Sequence, residues 1–363
     1  MTSTVDNKSE VVQSGTTISI DAMGGDLGPA AVVAGIVRVV QKNKKIHFLL
    51  HGQQKQLQEL VAKRQSLKGR VTIIDSLEVI KMEDKPSHVV RNGKATSMWS
   101  AIDSVRDGDA SVCVSCGNTG ALMAISMVRL RKLNGVNRPA IAILWPSSNP
   151  MGFNVMLDVG ADVRADPKDL LQYALMGVSY ARNGLGIAKP RVGLLNVGTE
   201  EHKGRSELKE AYAKIEHCQL EANFVFEGFV EGGDIPGSKV DVIVTDGFTG
   251  NVALKTAEGT ASLIGYLLRE AFRFSPLSKL ASILAFTSLN RFKMRIDPRR
   301  VNGGVFLGLN GTVVKSHGSA DATGIEAAIK LAFELSKNDF LQKVAARVAY
   351  AGAIDNDVYD DAN

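Results

Sequence analysis

The sequence predicts an α/β protein built on an open parallel sheet. Short runs rich in Val, Ile and Leu alternate with helical runs over most of the 363 residues, and this alternation is typical of βαβ units. Polar, glycine-rich segments follow several of the apolar runs, where an open sheet usually binds its ligand. Hydrophobic residues make up 45% of the chain, which is long enough to bury a substantial core.

The predicted strands are short and apolar, as buried strands of a parallel sheet are. They cover residues 16–20, 46–50, 71–74, 111–115, 140–144, 191–195, 223–226 and 240–244. Pro29 begins the first predicted helix. The backbone N–H at the first helical position has no partner within the helix, so proline, which lacks this N–H, loses no hydrogen bond there. The predicted helices cover residues 29–41, 53–64, 97–106, 120–132, 167–181, 206–217, 252–272, 320–335 and 340–351.

We expect a single α/β domain over residues 15–352. A polar extension without periodicity, 1–14, precedes it and an acidic tail, 353–363, follows it, and both are expected to be disordered. The sequence has no basic and then apolar leader and no apolar run near the ~20 residues of a membrane-spanning helix, so we expect a cytoplasmic protein.

Cysteine and histidine usage argues against a disulfide framework and a metal site. Three cysteines are too few for the first, and an extended strand would point Cys113 and Cys116 to opposite faces. The histidines are scattered, without the spacing of metal ligands. We therefore expect neither a metal nor a cofactor.

The segment from Asp21 to Pro29 is predicted to be a phosphate-binding turn. Gly24 and Gly25 can adopt positive φ and bring backbone N–H groups close to an anion, which the N-terminus of the next helix also favours. The segment lacks the spacing of a dinucleotide-binding or Walker motif, so a tight turn without a ligand is the alternative.

Three further polar segments follow predicted strands, at 115–120, 196–204 and 245–251. Because ligands bind at the carboxyl ends of strands in open α/β sheets, we expect these segments and the first turn to meet at one cleft. The residues predicted to bind phosphate or substrate are Asp21, Gly24, Gly25, Thr119, Gly198, Asp246, Thr249 and Gly250.

Lys203 is the strongest catalytic candidate, because an ammonium between strand and helix can lie beside a bound oxyanion. Asn118 and Asn251 can hold a phosphate or polarise a carbonyl, and His317 can donate a proton to a leaving group. Each has a structural alternative: an ion pair of the lysine with a neighbouring glutamate, helix capping by the asparagines, and an ordinary turn histidine.

No nucleophile is evident, since the sequence has no G-x-S-x-G and no catalytic cysteine or H-E-x-x-H signature. We therefore expect one bound substrate to attack another directly, while the protein supplies position and electrostatic stabilisation.

One segment, residues 269–300, is both basic and apolar. It holds eight Lys or Arg residues against two acidic ones, although the whole chain carries a net charge of only +5. Pro276 would break the preceding helix, so we expect a protruding helical hairpin that binds an acidic protein or an anionic membrane. A dimer contact or a packed core hairpin is the alternative, and nucleic acid is not expected because no recognised binding motif is present. The predicted binding residues are Arg269, Arg273, Lys279, Arg291, Lys293 and Arg295.

Four motifs in order resemble those of the bacterial phosphate acyltransferase (PlsX) family, and the resemblance runs from residue 17 to residue 350. They are Ile-Asp-Ala-Met-Gly-Gly-Asp at 20–26, Gly-Asn-Thr-Gly-Ala-Leu-Met at 117–123, Asn-Val-Gly-Thr-Glu-Glu-His-Lys-Gly at 196–204 and Asp-Gly-Phe-Thr-Gly-Asn at 246–251. Cys116 departs from the family pattern, which usually has a small residue there, and the polar extension is an addition to it.

The resemblance implies transfer of a fatty acyl group from acyl carrier protein to inorganic phosphate, which gives acyl phosphate for phospholipid synthesis. It implies a Rossmann-like, three-layer fold akin to isopropylmalate dehydrogenases, a homodimer, and peripheral attachment to the inner face of the cell membrane. A downstream glycerol-3-phosphate acyltransferase is a further implied partner. Phosphate would lie among the loop N–H groups and Lys203, and Asn251 or Asn118 would stabilise the oxyanion.

Two other classes of protein remain open at this point. A metal- and NAD-dependent dehydrogenase would share the fold, but it needs a cluster of aspartates, and the aspartates here are separated. A non-enzymatic membrane scaffold would account for the basic segment and leave the four polar segments unexplained.

Overall fold

The computed structural model describes residues 15–43, 45–296, 303–337 and 340–348. These ranges contain all the predicted strands and all four polar segments. The predicted extension, the predicted acidic tail and residues 297–300 of the predicted hairpin lie outside them.

The described residues form one sheet of eleven strands. These are β1 (Thr16–Asp21), β2 (Ile46–Gly52), β3 (Val71–Asp75), β4 (Val112–Ser115), β5 (Ala140–Pro146), β6 (Phe153–Leu157), β7 (Arg191–Leu195), β8 (Val225–Val230), β9 (Val242–Val244), β10 (Gly304–Leu307) and β11 (Thr312–Lys315). Their order across the sheet is β3-β2-β1-β4-β11-β10-β5-β6-β9-β7-β8. The central strands β4, β11, β10 and β9 are buried along their whole length, as strands covered on both faces must be.

Helices connect most of the strands. They are α1 (Gly28–Lys42), α2 (Gln54–Ala62), α3 (Pro86–Asn92), α4 (Ser97–Arg106), α5 (Thr119–Arg129), α6 (Pro167–Leu185), α7 (Ser206–Cys218), α8 (Gly247–Arg273), α9 (Pro276–Leu284), α10 (Phe286–Ile296) and α11 (Ala322–Lys337). Residues 340–348 are also helical. Capping residues in the sequence determine where several of the helices begin. At α6, for example, Asp166 and Asp169 form a capping box around Pro167.

The helices cover both faces of the sheet. On one face α1, α6, α7 and α11 enclose a core that includes Phe48, Tyr173 and Tyr180. On the other face α4, α5 and the first part of α8 enclose a second core that includes Met98 and Met156. This three-layer α/β arrangement confirms the predicted fold class.

The sheet is mixed rather than wholly parallel. β10 runs antiparallel to both of its neighbours, β11 and β5, and β6 runs antiparallel to β5. As a result, β1 to β4, β11 and β5 share one direction, and β6, β9, β7 and β8 run the opposite way. The carboxyl ends of the two groups of strands lie at opposite edges of the sheet.

This strand polarity corrects one prediction. The first turn and segment 115–120 lie at one edge of the sheet, whereas segments 196–204 and 245–251 follow β7 and β9 and lie at the other edge. Direct convergence of all four segments is therefore wrong. The sequence pattern does not predict β6, β10 or β11, because β6 and β11 follow their antiparallel neighbours through short turns and not through helices.

Helices α8, α9 and α10 are largely exposed. Of α8 only Gly247 and Gly250 are buried, and no residue of α9 is. α9 packs on α8, and α10 packs on α9. Residues 269–296 are thus helical apart from short turns, while a hairpin that extends to residue 300 stays a prediction. Among the described residues no helix combines the length and the apolar character needed to cross a bilayer.

Candidate functional site

Three turns meet where β1, β4 and β11 end. Their residues, 21–26, 115–119 and 315–318, are called the glycine-loop cluster here. The N–H of Asp26 in the first turn donates to the carbonyl of Gly318 in the third at 2.7 Å. The cluster therefore brings together the predicted residues of the first turn, of segment 115–120 and of the turn that carries a candidate histidine.

The glycines of the first turn are required by packing. A Cβ on Gly24 would lie 2.7 Å from the amide nitrogen of Gly117, and a Cβ on Gly25 would lie 2.9 Å from the carbonyl oxygen of Gly318. Gly25 also has a φ of +92°, which side chains disfavour. Loop packing accounts for these two glycines, and their role in binding phosphate stays a prediction.

Asp21 is buried in the middle of the glycine-loop cluster. Its carboxylate accepts hydrogen bonds from the hydroxyls of Ser97 and Ser115, at 2.7 Å each, and from the N–H of Met23 at 3.3 Å. Burial raises the pKa of Asp21, and the hydrogen bonds oppose that shift. Asp21 thus joins the first turn to α4 and β4, and its contact with a substrate stays a prediction.

Lys315 ends β11 beside Ser115 of β4, and its side chain is buried. Its ammonium donates to the carbonyl of Cys116 at 3.3 Å and to that of Ser316. Burial lowers the pKa of Lys315 to about 8. The sequence prediction does not include Lys315 as a site residue, because it does not predict β11, the strand that ends with Lys315 at the cluster.

Asn118 caps α5. Its side-chain oxygen accepts from the N–H of Ala121 at 3.0 Å, and its amide nitrogen donates to the carbonyls of Met82 and Asp84 at 2.8 and 3.0 Å. Both ends of the amide are therefore engaged, as the capping alternative expects. Thr119 follows as the first residue of α5 and is half-buried.

His317 faces the middle of α8. Its Nδ1 accepts from the N–H of Ser319 at 3.2 Å, and its Nε2 lies 3.7 Å from the carboxylate of Glu258. Glu258 also pairs with Lys255 at 2.9 Å. Contacts with His317 and Lys255 lower the pKa of Glu258 to about 2. These contacts join α8 to the glycine-loop cluster.

A second group of turns lies at the opposite edge, where β6, β7 and β9 end. Its residues, 158–162, 196–205 and 246–251, are called the α8-entry cluster. Asp246 caps α8 by accepting from the N–H of Thr249 at 2.7 Å, and it pairs with Arg205. Burial by itself would raise the pKa of Asp246. The N–H of Thr249 and the guanidinium of Arg205 outweigh burial, and the pKa of Asp246 is lowered.

Two glycines let α8 begin against the turn after β6. A Cβ on Gly250 would lie 1.9 Å from the carbonyl oxygen of Asp158, and a Cβ on Gly247 would lie 2.0 Å from that of Asp162. Gly250 is therefore required for packing, and its predicted contact with substrate stays a prediction.

Lys203 lies in the α8-entry cluster as an exposed ion pair. Its Nζ is 2.7 Å from Glu200, and the two side chains are 44% and 49% exposed. The contact with Glu200 raises the pKa of Lys203. A Cβ on Gly198 would lie 2.4 Å from Cδ of Lys203, so the glycine leaves room for the lysine stem to fold over the loop. The ammonium is open to solvent, and its catalytic role stays a prediction.

Asn251 connects the two clusters through α8. Its amide donates to the carbonyl of Val159 at 3.1 Å. Lys255 follows one turn later on the same side of the helix, and Glu258 follows three residues after that, which places it about 10 Å beyond Asn251 along the axis. This side of α8 is lined by an amide, an ammonium and a carboxylate, and it runs from one cluster toward the other.

The three cysteines are buried free thiols. Burial raises the pKa of Cys116 to about 11 and that of Cys218 to about 12, and it raises the pKa of Cys113 as well. A thiol that stays protonated is a poor nucleophile. Within the described ranges no three His, Cys, Asp or Glu side chains form a group that could hold a metal ion.

Of the residues predicted to bind carrier protein or membrane, four have side chains in the described part of the structure and two do not. Arg269, Arg273, Lys279 and Arg291 are exposed. Lys293 and Arg295 belong to α10, but their side chains lie outside the described part of the structure.

Sequence comparison identifies the family. The family described as "Fatty acid synthesis protein" matches residues 16–343. A phosphate acyltransferase of Ruegeria sp. (strain TM1040) is 71% identical over 336 residues, which cover 93% of this chain and 90% of the relative. A phosphate acyltransferase of Cereibacter sphaeroides (strain ATCC 17025 / ATH 2.4.3) is 64% identical over 344 residues, or 95% of this chain and 94% of the relative.

Solved structures share the fold at low sequence identity. A phosphotransacetylase from Streptococcus pyogenes has a TM-score of 0.58 at 18% identity, covering 89% of this chain and 94% of its own. A branched-chain phosphotransacylase from Enterococcus faecalis V583 has a TM-score of 0.56 at 12% identity, covering 89% of this chain and 99% of its own. At such identities the likeness extends to the fold alone. With the family match over most of its length and relatives at 64–71% identity, the chain belongs to the fatty acid synthesis protein family.

Proposed function

We propose that this protein transfers a fatty acyl group from acyl carrier protein to inorganic phosphate and so forms acyl phosphate for phospholipid synthesis. The observation that carries the proposal is the 71% identity, over 93% of the chain, with a protein named phosphate acyltransferase. Relatives with this name favour neither of the two alternative functions, that of a dehydrogenase or that of a membrane scaffold.

In the proposed reaction an oxygen of phosphate attacks the carbonyl carbon of the acyl thioester. An O–C bond forms, the C–S bond breaks, and the sulfur leaves as a thiolate that takes a proton from solvent. No oxidant or reductant is needed. Because an ordinary thiol has a pKa of about 8.5, the sulfur leaves with little proton assistance, and His317, whose Nε2 faces Glu258, is dispensable as an acid.

Apolar side chains around the α8-entry cluster suit an acyl donor. Val197 and Phe248, which belong to the cluster, are 80% and 62% exposed, and Val163 and Val252, which directly follow two of its segments, are 74% and 51% exposed. In this proposal Lys203 and Asn251 act on the thioester carbonyl or the attacking phosphate, since an ammonium and an amide both stabilise developing negative charge.

We place the docking surface for the carrier protein and for an anionic membrane on α8 to α10. Exposed cations, among them Arg273, Lys279 and Arg291, lie beside exposed apolar side chains of α9. Cations attract an acidic carrier and anionic headgroups, and apolar side chains enter the headgroup boundary. Peripheral attachment to the inner face of the cell membrane would also bring the product near a glycerol-3-phosphate acyltransferase.

A homodimer is the third part of the proposal. Leu263, Ile264, Tyr266 and Leu267 form an exposed apolar run on α8. Contiguous apolar surface of this kind marks an interaction site, and a second copy of the same helix is the simplest partner.

The test is acyl phosphate formation by the purified full-length chain from palmitoyl-acyl carrier protein and inorganic phosphate, without nucleotide or added metal. Product that depends on phosphate supports the proposal. Absence of product from a folded chain, with carrier protein and phosphate both supplied in excess, contradicts it.

A further inference from the structure

Lys315 is a buried cation without a buried counter-charge in contact. Its side chain is 8% exposed, and its ammonium donates hydrogen bonds to two backbone carbonyls, those of Cys116 and Ser316. Among the described residues no carboxylate lies within ion-pair distance of it. Burying an ammonium without an anionic partner is costly, so a structure that retains one commonly uses it for a ligand.

The surroundings of Lys315 are arranged for an anion. Lys255 of α8 approaches closely enough to oppose the protonation of Lys315, while Asp21 and Asp26 favour it from the sheet side. The Asp21 carboxylate is already bonded to two serine hydroxyls and a backbone N–H, so it is not free to pair with the ammonium directly. Lys255 is itself paired with Glu258 at 2.9 Å, so of these two ammonium groups it is that of Lys315 that lacks a carboxylate in contact.

Backbone groups add to the positive potential. Lys315 contacts Cys116 three residues before α5 begins, and the first N–H groups of an eleven-residue helix point toward that end. The hydroxyl oxygen of Ser316, which is fully buried, has no hydrogen-bond partner among the described residues. A helix terminus, a lone ammonium and an unpaired hydroxyl thus lie together at the glycine-loop cluster.

We infer that Lys315, with Lys255 opposite and the start of α5 beside it, binds the inorganic phosphate that the reaction consumes. The inference rests on the proposed function for the identity of the anion. Phosphate offers acceptor oxygens to the remaining N–H of the Lys315 ammonium and to N–H groups at the start of α5, and its negative charge compensates the buried positive charge of Lys315. It assigns phosphate to the glycine-loop cluster.

The experiment is calorimetric titration of the full-length protein with inorganic phosphate, without an acyl donor. Lys315→Met keeps the length and apolar stem of the side chain and removes the charge, so the Kd for phosphate should rise at least tenfold. The matched control is Lys330→Met, which removes an exposed cation of α11 that pairs with Glu326. The control should bind phosphate as the unmodified chain does. Unchanged affinity in a folded Lys315→Met protein overturns the inference.

A second variant covers the case in which Lys315→Met does not fold. Lys255 is 57% exposed on α8, so Lys255→Met should leave the fold intact and raise the Kd for phosphate severalfold. The two-lysine site is overturned if Lys255→Met binds phosphate with wild-type affinity and Lys315→Met is folded and also binds normally. It is equally overturned if Lys255→Met binds normally and Lys315→Met does not fold.

The pH dependence gives an independent readout. The groups that face Lys315 are Asp21 and Asp26 from the first turn, Cys116 from the turn before α5, and Lys255 from α8. Burial lowers the pKa of Lys315 to about 8, so phosphate affinity of the unmodified chain should fall as the pH rises above 8, where phosphate itself stays a dianion. Affinity that does not fall over that range overturns the inference.

The two proposals fail in different ways. Phosphate binding that depends on Lys315, in a protein that forms no acyl phosphate, supports the binding site and contradicts the proposed function. Acyl phosphate formation with an unchanged KM for phosphate in Lys315→Met supports the function and overturns the site.

Discussion

His51 is a buried histidine whose ring is held by serine hydroxyls. Ser19 donates its own hydrogen to the carbonyl of Ala101 at 2.7 Å, so it accepts from Nε2 of His51 at 3.0 Å, and Ser100 lies 2.8 Å from Nδ1. None of these partners is a carboxylate, and burial lowers the pKa of His51 to about 4. The folded protein therefore holds this imidazole neutral.

A loss of stability in mild acid follows from this arrangement. The pKa of His51 is 6.5 in the unfolded chain and about 4 in the folded one, so the unfolded state binds the proton first. The stabilisation is complete above pH 6.5 and decreases as the pH falls toward 4, by about 3 kcal/mol in the free energy of unfolding. Urea unfolding across this range measures the slope, and His51→Gln should flatten it. The exposed histidine variant His88→Gln should keep it, and an equal slope in His51→Gln would contradict the assignment.

Lys203→Ala tests the strongest catalytic candidate that the sequence alone provides. The ion pair with Glu200 is exposed, and such pairs contribute little to folding, so the melting temperature should stay unchanged. Turnover should fall at least tenfold because a cation beside the developing charge is lost. Steady-state kinetics against phosphate show whether the loss lies in KM or in kcat. The control Lys209→Ala removes an exposed lysine of α7, and wild-type kinetics in Lys203→Ala would remove this residue from the mechanism.

α8 is the element on which the site depends, because its first turn is in one cluster and its middle contacts the other. It can begin where it does only if residue 250 has no side chain. A 27-residue helix with two buried residues gains little from its own packing, so these few contacts set its direction.

Gly250→Ala should therefore destabilise the protein by about 1–3 kcal/mol, the usual cost of inserting an atom into a packed site. Here the added Cβ would meet the Asp158 carbonyl at 1.9 Å, and the backbone would have to move. Chemical denaturation measures the change. Gly259→Ala on the same helix meets nothing within 4 Å, and it should instead stabilise by up to about 1 kcal/mol through helix propensity. Equal effects of the two substitutions would show that packing at Gly250 is not limiting.

Helices α9 and α10 carry the proposed surface for carrier protein and membrane. Replacing Arg291, Lys293 and Arg295 by Glu together should weaken binding to acyl carrier protein or to vesicles with anionic lipid, since attraction becomes repulsion. Sedimentation with vesicles and titration with carrier protein measure the two partners separately.

The matched control for this charge reversal lies in and after α2. Lys55, Lys63 and Lys68 are exposed residues in and after α2, and changing them to Glu alters the net charge of the protein by the same amount. The control should bind both partners as the unmodified chain does. If the α10 variant binds both partners equally well, α10 is not part of either docking surface.

At the scale of the whole molecule, the exposed apolar side chains of α8 predict association of two chains. Leu267 is 51% exposed at the end of the run formed by Leu263, Ile264, Tyr266 and Leu267, and a charge there would be buried by a dimer at considerable cost. Leu267→Glu should convert the dimer to a folded monomer in sedimentation equilibrium. Leu220→Glu, at an 84% exposed leucine after α7, should leave the association unchanged. A Leu267→Glu protein that stays dimeric would place the interface elsewhere.

The predictable part of the fold is the part governed by local pattern. All eight predicted strands and the long helices are present, because each is an apolar run bounded by turn residues. The prediction omits β6, β10 and β11, which are short strands of two antiparallel hairpins that interrupt the alternation of strands and helices. For the site, the sequence predicts Asp21, Asn118, Lys203 and Asn251 from polar residues at strand ends, and His317 from a turn. It does not predict Lys315, whose position at a strand end is visible only once β11 is recognised.

The sequence by itself determined the α/β class, the alternation of strands and helices, the polar turns and the family motifs, since all of these depend on residues close together in the chain. The tertiary structure decided which turns meet. The reversal of direction at β6 separates Asp21 from Lys203 across the sheet, and the length of α8 brings Glu258 to His317. Strand polarity and burial arise from contacts between residues far apart in sequence, and these also leave Lys315 as a buried ammonium with no carboxylate in contact.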